Sequence, residues 1–319
     1  MTLWALIKRH TKVYFKDKGV FFPSLITPLI LLFLFVTFLK DVYINSIKMQ
    51  LPQDTELTSS LLNGFAGSWL ISSLLATSCI TIAFCANMIM VQDKVTGSYK
   101  DLTIAPIKKS TLNLSYYLST AFVTAIVCYV AFGIGLIYLS FVGFYISFTD
   151  IMLTVLDIAL LVLFGTALSS IVCMFLKSQG AISAVATLVS SAYGFICGAY
   201  MPLSQFSEGL RNVLMFFPGT YGTGLIRSHM MSGVLKELQS QGLAQSVIDN
   251  LSKSFDASLS FFGQNVSTLA MYLVVSLTIG VLILLFILLG YLKNKKKKAK
   301  LDWIYYEKYP ENIHKFIQW

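Results

Sequence analysis

Six runs of about 20 or more residues, almost free of charge, divide this chain, and nothing else in it constrains the fold as strongly. An α-helix rises about 1.5 Å per residue, so about 20 apolar residues cross the roughly 30 Å hydrocarbon layer of a bilayer. The runs are Val20 to Leu39, Gly64 to Val91, Leu114 to Val142, Ile151 to Leu176, Gly180 to Met201 and Ser267 to Leu292. Backbone polar groups in hydrocarbon need partners within the segment, and the runs lack the alternation of barrel strands, so they predict six transmembrane helices. The third is long enough to tilt or to project beyond the bilayer. A chain that is 56% hydrophobic and 12% charged fits an all-α polytopic membrane protein and not a soluble domain. The expected organisation is an amphipathic interfacial helix over 1–19, a six-helix membrane domain over 20–292 and a basic tail over 293–319.

Charge sets the expected orientation. With a cytoplasmic N-terminus, segments 1–19, 92–113, 177–179 and 293–319 carry 18 of the 24 Lys and Arg. That excess predicts both termini on the cytoplasmic side. The first run follows a basic segment as a signal peptide would, but FLKDVY offers no small-residue cleavage pattern, so a retained anchor is expected. Leu3, Trp4, Leu6, Ile7, Val13, Tyr14 and Phe15 alternate with Lys8, Arg9, Lys12 and Lys16 as in a helix lying on the inner leaflet. The run KNKKKKAK reads as a stop-transfer anchor meeting anionic lipid, or as a site of lipid-specific regulation.

Enzymatic chemistry finds little footing. No predicted span carries a histidine: His10 and His314 fall in inner segments and His229 in the outer one. There is no HExxH zinc pattern and no GxxxxGK[ST] phosphate loop, so energy for any transport would come from another subunit or from an ion gradient. The five cysteines lie in apolar runs, where they behave as small hydrophobes. One acidic residue, Asp157, falls within a predicted span, about 10 Å from its outer end. It is either satisfied by water or a neighbouring helix, or a polar contact in a translocation path.

Two helices carry hydroxyl stripes. Ser73, Thr77 and Thr81 recur every fourth residue in the second, and Ser183, Thr187, Ser190 and Gly194 follow at four, three and four in the fifth. Such stripes either let helices pack closely or line a wetted path. Between the second and third spans lies the polar island VQDKVTGSYKDLTIAPIKKST. Its lysines Lys94, Lys100, Lys108 and Lys109 would cost on the order of 10 kcal/mol in hydrocarbon, so the island must sit at or beyond the membrane surface. Val95, Tyr99, Leu102 and Ile104 are spaced to give a short helix one apolar side, which Pro106 limits. That helix either rests on headgroups or docks a soluble partner.

DKVTGSYKDLTIAPI resembles the first intracellular loop of the permease subunit of type-2 ABC exporters, with Asp93, Gly97, Ser98, Leu102 and Pro106 in register. Lys100 and Ala105 depart from that pattern, and Asp101 stands ready to replace the missing carboxylate. GAYMPLSQFSEGLRNVLMFFPGTYGTGLIR is similar to the family signature after the fifth helix, with Gly198, Pro202, Leu203, Leu210, Pro218, Thr220 and Tyr221 in register and Ser207 and Gly219 departing. The resemblance extends to about residue 292, with 228–266 as an extra outer insertion and the last residues unexplained.

The resemblance implies a coupling helix built on Asp93, Gly97, Ser98, Tyr99, Asp101, Leu102 and Pro106, which docks on a separate ABC ATPase. Two copies of that ATPase would bind the ATP and magnesium, and this chain would hold no cofactor and do no bond chemistry. A second permease subunit, identical or not, and membrane lipids would be its other partners, with no nucleic acid. The resemblance also implies a short pair of helices re-entering the outer leaflet over the second motif, and a bacterial cytoplasmic membrane as the location. Ser73, Thr77, Thr81, Ser183, Thr187 and Ser190 are the candidate lining of the path. Apolar helices with hydroxyls and no buried charge suit an amphipathic, drug-like or lipid-linked cargo moved outward. A glycan or lipid exporter, and a non-transporting sensor or immunity protein on the same fold, are the alternatives.

Overall fold

The computed structural model describes residues 2–52, 57–105 and 107–308, with only the backbone described at 27, 294 and 296–308. It is an all-α bundle, with six helices among the described residues long and apolar enough to cross a membrane. The elements, in chain order, are α1 (Leu3–Lys16), α2 (Lys18–Leu34), α3 (Lys40–Gln50), α4 (Ser59–Thr96), α5 (Ser98–Ile104), α6 (Lys109–Val142), α7 (Phe148–Phe175), α8 (Gln179–Ile196), α9 (Glu208–Leu214), α10 (Pro218–Ser240), α11 (Gln245–Ser254) and α12 (Thr268–Lys308). A two-residue hairpin, β1 (Ser260–Phe261) and β2 (Gln264–Asn265), precedes α12.

α4 is the axis of the bundle. It packs against α2, α6, α7, α8 and α10, which is why its side chains are buried on every side. Small and polar residues let neighbours approach without a hydrophobic drive between helices in lipid. Asn87 donates to Ser169 Oγ at 3.1 Å and Ser170 Oγ at 2.9 Å, joining α4 to α7. At the opposite extreme α2, α8 and α12 leave most of their apolar surface outward, as helices facing lipid or a partner do. Ser147 and Asp150 form a reciprocal cap that starts α7. At its other end, Lys94 Nζ and Lys293 Nζ donate to the Cys173 and Met174 carbonyls at 3.0 Å each, supplying cations where a helix leaves acceptors orphaned.

Several helices differ in length from the apolar segments that announce them. The first continues from α2 through one wide turn at Phe35–Leu39 into α3, so the outer connection expected after Leu39 is helical to Gln50. The fifth is shorter than its apolar run and ends at Ile196. α12 continues through the basic run to Lys308.

The boundary expected at residue 228 falls inside α10, and residues of 228–266 pack into the bundle. Val234 and Leu238 of α10 and Ile248, Leu251 and Phe255 of and after α11 share a second apolar core with Tyr43 and Ile47 of α3 and Phe65 and Trp69 of α4. Trp69 Nε1 donates to the Phe255 carbonyl at 3.2 Å, and the Tyr43 ring meets Trp69 edge-on at 4.5 Å. Gly233 shows how close the fit is, because a Cβ there would overlap the Tyr145 carbonyl.

Candidate functional site

Three places carry the residues singled out by sequence: the α5 end of the bundle, a groove between α2 and α8, and the turn from α8 into α10.

At the α5 end, Asp93 in the last turn of α4 is buried and receives three donors. Arg9 Nη1 and Nη2 approach Oδ2 and Oδ1 at 2.8 and 2.9 Å, and the Tyr116 hydroxyl donates to Oδ2 at 2.6 Å. One carboxylate thus ties α1, α4 and α6 together through a bidentate, charge-assisted pair. The pair with Asp93 raises the pKa of Arg9. Arg9 Nη1 also points at His10 Nδ1, 3.0 Å away. A guanidinium can only donate, so Nδ1 must carry a lone pair and the proton resides on Nε2. Nε2 then donates to Ser115 Oγ at 3.2 Å, whose own hydrogen goes to the Leu112 carbonyl at 2.7 Å. His10 is buried, its ring stacked 4.1 Å from that of Tyr116. Burial, and then the adjacent charge of Arg9, lower its pKa to about 4, in accord with the neutral tautomer that the hydrogen bonds demand.

α4 gives way to α5 at Gly97, whose φ of +88° places it in the left-handed region, with nothing within 4 Å of where a Cβ would be. Conformation and not space therefore selects glycine here. Ser98 Oγ meets Thr96 Oγ1 at 3.1 Å. Tyr99 and Leu102 turn back onto the main core, whereas Lys100 and Asp101 face outward and Ile104 is 83% exposed. The expected apolar side of α5 is thus divided, with two residues packed and Ile104 and Val95 outward. Pro106 lies outside the described residues.

The six hydroxyl residues expected to line one path do not come together. Ser183, Thr187 and Ser190 line a groove of about 1120 Å³ walled by α2 and α8 and floored by Cys85, Met88 and Gln92 of α4. Thr187 Oγ1 donates to the Ser183 carbonyl at 2.9 Å and Ser183 Oγ to the Gln179 carbonyl at 3.2 Å, leaving their lone pairs toward the groove. Ser73, Thr77 and Thr81 are instead buried within the subunit. Thr77 and Thr81 donate to carbonyls one turn back, at 3.0 Å each, and Ser73 Oγ accepts from Arg227 Nη2 at 2.8 Å. The α4 stripe is a packing face, because α4 is surrounded on all sides.

Beyond α8 the chain turns at Gly198 and runs through buried Pro202 and Leu203 into α9. Leu210 of α9 is exposed, and Pro218 begins α10 at a position where its missing N–H costs nothing. Thr220 Oγ1 donates to the Leu214 carbonyl at 2.9 Å, locking the corner between α9 and α10, and Tyr221 is buried beside it. α10 starts deep: Gly219 meets Tyr193 of α8, and Gly222 meets Leu161, thirteen residues or about 20 Å into α7. α10 therefore begins beside the middle of α7 and not at its Phe148 end, and at 23 residues it is not short.

Polar groups that the sequence reading left unassigned hold this end. Arg227 is 1% exposed, donates to the Gly198 carbonyl at 2.8 Å and pairs with Asp256 at 3.2 Å, its guanidinium 4.8 Å from the Trp69 ring centre. Burial pushes the Asp256 carboxyl up to about 6, against the opposing charge of Arg227. Asp157 accepts from His229 Nδ1 and from the Tyr272 hydroxyl, both at 2.6 Å, joining α7, α10 and α12. The neighbouring-helix alternative for Asp157 is the one found, and His229 belongs to a helix packed in the bundle and not to an outer loop. The signal was present in the contrast of Arg227 and His229 with the small residues Gly219, Thr220, Gly222, Thr223 and Gly224 just before them. Polar groups on so closely packed a helix must be paired inside.

Six apolar spans among the described residues, one of them buried within the bundle, with a short helix held out at one end, define a polytopic membrane protein. The chain belongs to the ABC-2 type transporter family, whose family model matches residues 1–231. The matched region ends within α10, so α11, the hairpin and α12 lie beyond it. Among curated proteins no match is found. Membership makes this chain the permease subunit of an ABC transporter and implies an ABC ATPase as its partner.

Proposed function

We propose that this chain works as one half of an exporter's membrane domain, paired with a second permease subunit and driven by two ATPase subunits at its α5 end. The observation that carries the reading is α5 itself. A seven-residue helix stands on a left-handed glycine, is braced from behind by Asp93, Arg9 and Tyr116, and presents Lys100, Asp101 and Ile104 outward. A rigid base with an exposed mixed tip suits transmission of a push from a soluble partner better than resting on headgroups, because Lys100 and Asp101 alternate in sign beside Ile104. Of the coupling residues, Asp101 carries the contact, Gly97, Tyr99 and Leu102 set the direction of α5, and Asp93 braces it.

The groove between α2 and α8 is the proposed cargo wall. It is apolar over most of its length, with Asp17, Gln92 and Gln179 at one end and Tyr200 at the other. That lining suits an amphipathic, drug-like or lipid-linked molecule carried outward across a bacterial cytoplasmic membrane, with Ser183, Thr187 and Ser190 offering acceptors.

The test is ATPase turnover of the copurified complex in lipid, with candidate cargo added. Asp101→Lys with Ile104→Glu should lower both recovery of the ATPase and its stimulation by cargo, while the melting temperature of the permease stays the same. Unchanged recovery and stimulation would overturn the assignment of α5.

A further inference from the structure

At the end of the bundle opposite α5, a polar cavity of about 350 Å³ opens between α9, the loop after α11 and the β1–β2 hairpin. Arg211 and Lys253 stand in its wall beside Ser204, Ser258 and Ser260. Asp256 reaches it too and its charge acts on Arg211, but its Oδ2 is already taken by the Leu203 N–H and by Arg227. Neither Arg211 nor Lys253 has a carboxylate within ion-pair distance among the described residues. The Arg211 Nε is moreover buried and lacks an acceptor among them. A buried donor without a partner is costly, so the cavity is built for an acceptor that is negatively charged.

The surroundings say what carries that charge. Leu210 and Val213 of α9, with Phe216 and Phe262, form an exposed apolar ridge next to the cavity. The hairpin is fixed to α9 by the Phe262 N–H on Asn212 Oδ1 at 3.1 Å and by the Phe216 and Phe261 rings, edge to face at 5.3 Å. Depth follows from α12. Lys293 marks the membrane surface at the α5 end, and a hydrocarbon layer of about 30 Å counted back at about 1.5 Å per residue ends near Leu273. Thr268, about 7 Å further, lies at headgroup depth, and the hairpin directly precedes it.

We infer that this cavity binds the phosphate of an anionic phospholipid in the leaflet opposite the α5 end, held by Arg211 and Lys253, with the α9 ridge along its acyl chains. A free phosphate would use the two cations and leave the ridge uncovered. The site is separate from the α2–α8 groove and does not depend on the proposed function. A lipid seated there would clamp α9 to the hairpin and so steady the corner that leads into α10.

The test compares the full chain with its variants in phosphatidylcholine nanodiscs containing some phosphatidylglycerol, the retained lipid being counted by native mass spectrometry. The basic run after Lys293 is present in every variant, so differences report on the cavity alone. Arg211→Gln with Lys253→Gln should retain roughly 25-fold less phosphatidylglycerol, at about fivefold for each cation near a charged surface. Arg211→Lys with Lys253→Arg should keep it, and the exposed Lys253→Glu, which folding tolerates, should lower it as well. Millimolar inorganic phosphate should not displace the lipid. Equal retention by wild type and Lys253→Glu would overturn the site, and displacement by inorganic phosphate would overturn its assignment to lipid.

Discussion

The guanidinium of Arg9 lies side-on against the carboxylate of Asp93, at 2.8 and 2.9 Å, and so fastens the amphipathic α1 to the end of the central helix. The residue that the family pattern marks as part of the coupling loop is thereby a brace and not an outward contact. Asp93→Asn should therefore lower stability by about 1–3 kcal/mol, since an exposed pair would be worth little but this one leaves Arg9 partly buried and uncompensated. Arg9→Lys should lose part of the same energy, because an ammonium cannot make both parallel bonds. The melting temperature of the purified permease and the protease sensitivity of α1 check both. Asp101→Lys should leave these unchanged, which separates the brace from the contact.

His10 predicts how α1 responds to acid. Its pKa is held near 4 in the folded chain against an ordinary 6.5, so between these values the undocked chain binds more protons than the docked one. Docking of α1 should be complete above about pH 6.5 and weaken by about 1.4 kcal/mol per unit as the pH falls toward 4. His10→Phe keeps the stacking on Tyr116 and removes the titration. The difference between the two melting curves should be constant above pH 6.5, where the lost bonds to Arg9 and Ser115 set it, and change below it, and parallel curves throughout would contradict the buried neutral imidazole.

Gly97 sits where an L side chain is strained but not crowded. Gly97→Ala should cost about 1 kcal/mol, with Gly97→Asn cheaper because asparagine tolerates the left-handed region. Both should fold, and both should reduce ATPase coupling in proportion to how far they turn α5. Thermal melting against turnover in the same samples reads the two effects apart.

The buried pair of Arg227 and Asp256 makes a double-mutant cycle informative. Arg227→Met leaves the Asp256 carboxylate buried without its cation and should cost about 3–5 kcal/mol. Adding Asp256→Asn removes the orphaned charge, so the double variant should be more stable than Arg227→Met alone. Simple additivity in the cycle would mean that the two do not interact through charge.

The spans, the short helix after Gly97 and the descent after Gly198 were legible because each rests on local rules: apolar length, left-handed glycine, proline at a helix start. What joined them was not. Arg9 and Asp93 are 84 positions apart, and Asp157 and His229 are 72 apart, so no periodicity relates them. The α4 stripe was ambiguous for a related reason. Ser73, Thr77 and Thr81 would read the same on a lipid-facing, a path-lining or a fully enclosed helix, and only the number of neighbours around α4 decides.

Asp157 offers the closing test of that enclosed interior. Its two oxygens each receive one donor, from His229 Nδ1 and from the Tyr272 hydroxyl. Asp157→Asn keeps an acceptor for Tyr272, and His229 can move its proton to Nε2 so that Nδ1 accepts from the new amide. This variant should lose only about 1 kcal/mol. Asp157→Leu is of similar size but strands both donors inside the bundle, and should cost about 3 kcal/mol. If α7, α10 and α12 are held by this cluster, the melting temperatures should fall in the order wild type, Asn, Leu, and Tyr272→Phe with Asp157→Leu should recover part of the loss by removing one stranded hydroxyl. Equal melting of the Asn and Leu variants would show that water replaces the carboxylate and that α10 is open to it at this depth.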